Sequence, residues 1–157
     1  MAQVLRKDAL VVPALGAVYE SLKEYTYPIL RIMMGLTFMP HGAQKLFGWW
    51  GGRTMEWYVE SFGRMGSWSA DARWVYYIGV LEFFGGILMA VGFLTRFFAL
   101  QLFAFMMTAT FVANWPRGYF WTQGGLETPL TWGVVCLFIL AYGGGKWSVD
   151  RTLGRGF

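Results

Sequence analysis

Residues 74–115 read WVYYIGVLEFFGGILMAVGFLTRFFALQLFAFMMTATFVANW. This stretch contains two apolar runs, 74–94 and 97–115, and each is long enough to cross about 30 Å of hydrocarbon as a helix. Only Thr95 and Arg96 separate the two runs, and a connection this short joins antiparallel neighbours. The sequence therefore predicts a hairpin of two membrane-spanning helices.

Two further apolar runs flank this hairpin, one from Pro28 to Phe47 and one from Pro129 to Gly143, which Glu127 and Thr128 extend at its start. We therefore expect an all-α fold, an integral membrane four-helix bundle that runs up-down-up-down. Its predicted parts are an N-terminal arm (1–27), a transmembrane domain (28–145) with spans 28–48, 73–94, 97–115 and 127–144, and a tail (146–157).

The composition is that of a chain whose solvent is lipid. Of the 157 residues, 56% are hydrophobic and only 14% are charged, whereas soluble domains carry about 25% charged residues. The net charge of +4 does not indicate a nucleic-acid partner, because the basic residues stand singly at the ends of apolar runs. The single cysteine, Cys136, excludes an intrachain disulfide and a CxxC pair.

The distribution of lysine and arginine predicts the orientation of the spans. The side with both termini and the 95–96 turn holds Arg6, Lys7, Lys23, Arg96, Lys146, Arg151 and Arg155, and the other side holds Arg53, Arg64, Arg73 and Arg117. Positive residues concentrate on the cytoplasmic side of membrane proteins. We therefore expect the arm, the tail and both termini in the cytoplasm.

The outer loop from Gly48 to Arg73 is predicted to hold further structure. After Thr54 its apolar residues recur at helical spacing, which favours a short amphipathic helix in the outer interface; an ordinary surface loop is the alternative. Every tryptophan except Trp147 falls on or near the outer side. Interfacial tryptophans normally mark both faces of a membrane, so this excess indicates an aromatic-walled pocket or a partner surface outside.

Ionisable residues inside predicted spans are costly and are functional candidates by default. They are Arg31, His41, Lys45 and Glu82, with Glu127 at the head of the fourth span and Asn114 near the same surface. At 1.5 Å per residue, His41 and Glu82 each lie roughly 12 Å below the outer boundary and Lys45 lies roughly 6 Å below it. We therefore expect these three side chains at compatible depths in the outer half.

The residues around these groups favour a polar site between the first two spans. Gly42 is expected to leave open space beside His41, and Gly85 and Gly86 allow a neighbouring helix to approach Glu82. A basic partner, Lys45 or His41, would keep Glu82 ionised.

The same residues are also compatible with purely structural roles. A Lys45–Glu82 pair would also serve as a purely structural link between helices. Arg31 and Lys45 would also extend to the membrane surface without binding anything. No metal site is expected, because one histidine cannot form one, and the motifs of soluble enzymes are missing from the sequence.

Several motifs resemble the DoxX family of small bacterial membrane proteins. They are Arg31-x-x-x-Gly35, Pro40-His41-Gly42-x-x-Lys45, Leu81-Glu82-Phe83-Phe84-Gly85-Gly86, Gly92-Phe93-Leu94-Thr95-Arg96, Gly124-Gly125-Leu126-Glu127 and Trp147-Ser148-Val149-Asp150. The resemblance covers about residues 28–150 and implies a four-helix protein of the bacterial inner membrane. The better understood members are linked to quinone-dependent sulfur oxidation or to assemblies that handle thiols and oxidative stress.

This resemblance implies a quinone-linked or accessory subunit of a membrane redox assembly. In that hypothesis His41 and Glu82 are the catalytic groups and a quinone is the cofactor. The ligand-binding residues are Arg31, Lys45, Asn114, Glu127 and Trp49, and the structural residues are Gly42, Gly85, Gly86 and Arg96. Electrons would come from other membrane or periplasmic subunits, since the sequence shows no haem, flavin or cysteine-pair motif.

Two alternatives belong to other functional classes. One is a non-catalytic scaffold subunit of a larger membrane complex, docking through its aromatic outer face. The other is a small-molecule or ion pathway, which four short helices would form only in an oligomer. Whether the chain is itself an enzyme, as a quinone-dependent oxidoreductase subunit, is left open by the residues.

Overall fold

The computed structural model of the protein describes residues 11–65 and 71–154. Within these two ranges the chain is helical and contains no strand, which confirms the all-α prediction. The helices are α1 (Gly16–Phe47), α2 (Met55–Met65), α3 (Ala72–Val91), α4 (Thr95–Arg117), α5 (Glu127–Tyr142) and α6 (Val149–Thr152). Residues 1–10 of the predicted arm and 155–157 of the predicted tail, with Arg6, Lys7 and Arg155, lie outside the described residues.

Length and apolar composition mark α3, with 20 residues, and α4, with 23 residues, as candidate membrane-spanning helices. The helix α5 is also apolar but has only 16 residues. Each of the two long helices contains one π-helical turn, Leu81–Gly85 in α3 and Ala109–Asn114 in α4. Such turns are rare and occur frequently at functional sites.

Side-chain caps define where α2 and α3 begin. The hydroxyl oxygen of Thr54 accepts a hydrogen bond from the backbone N–H of Trp57 at 3.3 Å, at the start of the amphipathic helix expected in this loop. A carboxylate oxygen of Asp71 accepts from the backbone N–H of Arg73 at 2.9 Å. Hydrogen bonds from the side chain and the backbone of Arg73 hold the pKa of the Asp71 carboxyl below its usual value.

Glycines bring α1 and α3 into backbone contact. A methyl group on Gly35 would overlap Gly86 and lie 2.7 Å from the backbone nitrogen of Ala90. One on Gly42 would overlap the backbone of Phe83 and lie 2.6 Å from the carbonyl oxygen of Gly79. The expected open space beside Gly42 is therefore absent, because α3 fills it. Close glycine contacts of this kind are typical of helix pairs in membranes.

The other long helices pack as antiparallel neighbours. Arg96 at the start of α4 donates hydrogen bonds to the carbonyl oxygens of Leu140 and Ala141 at the end of α5, at 3.2 and 3.4 Å. The ring of Phe38 in α1 packs edge-on against Trp132 in α5 at 5.2 Å between centroids. The buried core between these helices consists of Met34, Phe38, Leu81, Met89, Ala99, Leu102, Met106, Cys136 and Ile139.

Two element boundaries differ from the sequence-based expectation. The helix α1 begins at Gly16 and continues through Pro28, since residues 17–27 contain no glycine or proline and several good helix formers. The turn of the central hairpin lies at 92–94 rather than at 95–96. Gly92 and Leu94 adopt left-handed backbone angles, with φ of +76° and +50°, and a left-handed glycine commonly ends a helix.

Candidate functional site

An ion pair joins α1 and α3 at the end of this helix pair that lies next to α2. The Nζ of Lys45 lies 2.5 Å from Oε2 of Glu82, and the two side chains are only 11% and 5% exposed. Lys45 is in the last turn of α1, and Glu82 is in the π-helical turn of α3. The structure thus brings together the two opposite charges that depth counting had placed in one half of the spans.

Neighbouring groups surround the ammonium of Lys45 more completely than the carboxylate of Glu82. Lys45 Nζ also donates to the carbonyl oxygen of His41 at 3.2 Å and lies 5.9 Å from the ring centroid of Tyr58 in α2, a cation–π contact. Among the described residues, Oε1 of Glu82 has no hydrogen-bond donor. One oxygen of the carboxylate is therefore available to a proton or to a ligand.

The imidazole of His41 does not join this pair. It is exposed and lies edge-on to Trp132 of α5, with 5.2 Å between ring centroids. Within the described part of the chain, no hydrogen bond links the imidazole to Glu82 or to any other group. Only the backbone carbonyl of His41 contacts Lys45, so His41 and Glu82 face different neighbours.

Three other predicted site residues lie apart from the Lys45–Glu82 pair. The amide nitrogen of Asn114 donates to the carbonyl oxygen of Gly125 at 3.4 Å. The carboxylate of Glu127 accepts from the backbone N–H of Trp121 at 3.1 Å. Both contacts order the connection between α4 and α5. Trp49 is half-exposed after α1 and packs against other aromatic rings, those of Phe47, Trp50 and Phe83.

Arg31 lies at the opposite end of the α1–α3 pair and is completely buried. Its Nη1 donates to the carbonyl oxygens of Met89 and Ala90 at 2.6 and 2.5 Å, and its Nη2 donates to that of Trp147 at 2.8 Å. The Nε of Arg31 has no hydrogen-bond partner among the described residues. The guanidinium therefore caps the carboxyl end of α3 and ties it to the segment before α6.

Asp150 of α6 completes this second cluster. It belongs to the motif Trp147-Ser148-Val149-Asp150 but is not among the candidate site residues predicted from the sequence. Its carboxylate accepts from the backbone N–H groups of Leu94 and Thr95 at 2.8 and 3.0 Å and from the Thr95 hydroxyl at 2.6 Å. Its own N–H donates to the carbonyl oxygen of Gly92 at 2.9 Å. The predicted tail is thus packed onto the α3–α4 turn. Its place in that motif, soon after the glycine run Gly143–Gly145, is the signal that the sequence offers.

A mainly apolar cavity among the described residues is separate from both charge clusters. It has a volume of about 430 Å³ and lies between α2, α3 and α4. Its walls include the predicted residue Asn114 and, from the π-helical turn of α3, Leu81, the residue next to Glu82. No group of three or more histidine, cysteine or acidic side chains able to hold a metal occurs among the described residues.

Comparisons with known proteins agree with the motifs quoted above. The sequence model of the DoxX family matches residues 27–115, a range that includes Arg31, His41, Lys45 and Glu82. The chain is 30% identical over 131 residues to an uncharacterized protein of Haemophilus influenzae, covering 81% of this chain and 82% of that protein. It is 28% identical over 141 residues to an uncharacterized membrane protein of Mycobacterium tuberculosis, covering 80% of each. No solved structure matches the chain.

Proposed function

This chain is a membrane protein of the DoxX family, and from that premise we propose that it is a quinone-linked or accessory subunit of a membrane redox assembly. We place α1, α3, α4 and α5 as four up-and-down spans of the bacterial inner membrane. In this arrangement both termini are cytoplasmic and α2 lies in the outer interface. The assembly would handle sulfur compounds, thiols or respiratory electrons through further membrane or periplasmic subunits.

The observation that carries this proposal is the Lys45–Glu82 pair. Charges within a membrane are costly and rarely kept without a role. Here the ammonium stabilises the carboxylate, while one carboxylate oxygen has no donor among the described residues. The acid also occupies a π-helical turn, a local geometry frequent at functional sites. Reduction of a quinone to a quinol consumes two electrons and two protons, and Glu82 is suited to exchange protons at this depth.

The other predicted site residues have indirect roles in this proposal. His41 lies on a different side of α1 and would exchange protons with the surface rather than with Glu82 directly. Asn114, Glu127 and Trp49 shape the predicted outer surface, where a partner subunit would dock. Arg31 is engaged by three carbonyl oxygens, so we assign it to the support of the fold together with Arg96.

The test is quinone reduction by the native assembly, purified in mild detergent through a tag on the full-length chain. We expect Glu82→Gln to leave the subunit composition unchanged and to lower the rate of quinone reduction at least tenfold, a typical loss for a positioned acid or base. Glu60→Gln is the matched control, because Glu60 is an exposed glutamate of α2. A Glu82→Gln assembly that reduces quinone at the wild-type rate would contradict the proposal.

A scaffold role is the second candidate, and the tight glycine packing around the pair favours it. Gly42 and Gly79 hold the two backbones together next to Lys45 and Glu82, as a structural link requires. A purely structural pair is replaceable by apolar side chains of similar volume. If Lys45→Met combined with Glu82→Met keeps both the partner subunits and full quinone reduction, the scaffold role is the correct one.

A further inference from the structure

The cavity between α2, α3 and α4 is built by the two irregular turns of the long helices. The turn in α4 contributes Ala109, Val112, Ala113 and Asn114, and the turn in α3 contributes Leu81. A π-helical turn inserts an extra residue and is found frequently at functional sites. Both π-helical turns among the described residues border this one cavity. Their shared position indicates that the cavity is a specific feature of the fold rather than a packing defect.

Two amides give this cavity a specific hydrogen-bonding character. The hydroxyl of Tyr77 donates to Oε1 of Gln101 at 2.7 Å, which directs the amide NH₂ of Gln101 away from that contact. Among the described residues this NH₂ has no acceptor. Asn114 donates to Gly125, and its amide oxygen likewise has no donor. A polar group without a partner in apolar surroundings is costly, so an occupant that supplies a hydrogen-bond acceptor to the NH₂ of Gln101 would stabilise that side of the cavity.

The remaining walls define the charge and shape of that occupant. No acidic, basic or histidine side chain is among the lining residues, and aromatic rings make up much of the wall, namely Phe62, Trp74, Tyr77 and Phe105. A charged lipid headgroup would find no counter-charge there. A flat, neutral ring that carries carbonyl oxygens suits these walls, because it stacks on aromatic rings and accepts from the Gln101 amide.

We infer that this cavity binds the ring of a lipid-soluble quinone, with a ring carbonyl accepting a hydrogen bond from Gln101. The inference rests on the proposed function for the identity of the ligand but not for its location. Leu81 borders the cavity, whereas its neighbour Glu82 faces α1. The ring site and the proposed proton-exchanging acid therefore lie on two faces of one π-helical turn and are separately testable.

The test measures binding of decylubiquinone to the full-length protein in lipid nanodiscs by quenching of tryptophan fluorescence. Ala104→Phe places a ring in the cavity, and we expect it to abolish binding. Gln101→Leu removes the amide donor at similar volume, and we expect it to raise the Kd roughly tenfold, as for loss of one hydrogen bond in an apolar site. Ala141→Phe, on the exposed surface of α5, is the matched control and should bind as the wild type does.

The outcomes separate this inference from the proposed function. Wild-type affinity in both Ala104→Phe and Gln101→Leu would overturn the cavity assignment and leave the role of Glu82 untouched. If the wild type binds no decylubiquinone and Ala104→Phe instead releases a co-purified phospholipid, the occupant is an acyl chain and the inference is wrong. A third outcome is that both variants lose binding while Glu82→Gln assemblies reduce quinone at the full rate. That result would support quinone binding in the cavity and contradict proton exchange by Glu82.

Discussion

The two buried charge clusters at opposite ends of the α1–α3 pair use their charges differently. At the α3–α4 turn, Arg31 donates to three backbone carbonyls, and Asp150 accepts from two backbone N–H groups and a hydroxyl. At the α2 end, Lys45 and Glu82 face each other, and one carboxylate oxygen has no donor within the described residues. In the first cluster the charged groups form hydrogen bonds with backbone groups at helix ends. In the second cluster one carboxylate oxygen has no hydrogen-bond donor among the described residues.

This difference in bonding partners indicates which buried charges the stability of the fold depends on. Helix ends leave carbonyl and N–H groups that need partners, and a side chain that supplies them is hard to replace, because its removal leaves several buried groups unsatisfied. A pair of facing charges is easier to replace, because two apolar side chains remove both charges at once. We therefore expect large losses of stability at the turn cluster and smaller losses at the Lys45–Glu82 pair.

Arg31→Met is expected to have the largest effect. It leaves the carbonyl oxygens of Ala90 and Trp147 without donors among the described residues, at about 1–3 kcal/mol each, while that of Met89 keeps the N–H of Gly92 at 3.2 Å. The free energy of unfolding should therefore fall by roughly 4 kcal/mol. Unfolding by sodium dodecyl sulfate in mixed micelles, followed by circular dichroism, measures this loss. Arg151→Gln, at an exposed arginine of α6, is the control, and equal stability of the two variants would contradict the structural role of Arg31.

Asp150→Asn should have the next largest effect, about 2–3 kcal/mol. The asparagine keeps one acceptor oxygen, but its NH₂ group would face a donor, either the backbone N–H of Leu94 or that of Thr95. The same unfolding experiment measures the loss, and Thr95→Val should account for a smaller part of it. A stability within about 0.5 kcal/mol of the wild type would show that the tail does not cap α4.

Sequence reasoning reached the Lys45–Glu82 pair but not the turn cluster, and the reason is physical. Counting residues from the ends of two adjacent helices gives the depth of each charge. Depth predicted Glu82, His41 and Lys45 in the same half of the spans and left His41 and Lys45 as alternative partners of the acid. Asp150 approaches Thr95 from a segment 55 positions away, after a glycine-rich reversal of the chain. No periodicity encodes such a contact, so the sequence predicts ligand binding for the arginine of this cluster and no role for the aspartate beyond its place in the family motif.

The details of the site were likewise beyond the sequence. The π-helical turns that carry Glu82 and Asn114 have no distinctive local pattern, and the cavity between them follows from the turns. The side of α1 on which His41 lies was equally undetermined, because Gly42 packs directly against α3 and so turns the imidazole toward Trp132. Residue type and depth were predictable, whereas the rotation of each helix about its axis depended on the packing of glycines.

A double-mutant cycle on Lys45 and Glu82 tests the other half of the comparison. Each single change, Lys45→Met or Glu82→Met, should cost about 1–3 kcal/mol because it leaves one buried charge without its partner. The double change should cost less than the sum, since it removes both charges. Detergent unfolding of the four proteins gives the coupling energy. Additive losses would mean that the pair contributes no interaction and would remove the distinction between the two clusters.

His41→Phe should have the smallest effect on stability and so sharpens the comparison most. The imidazole is exposed and has no hydrogen bond within the described residues, and phenylalanine retains the edge-on contact with Trp132, so unfolding should change by less than about 0.5 kcal/mol. Quinone reduction by the purified assembly should nevertheless fall, because the substitution removes a protonatable group at a depth where no other histidine exists. If His41→Phe keeps the wild-type rate of quinone reduction, His41 contributes only packing. The carboxylate of Glu82 would then be the single proton-exchanging group proposed for the site.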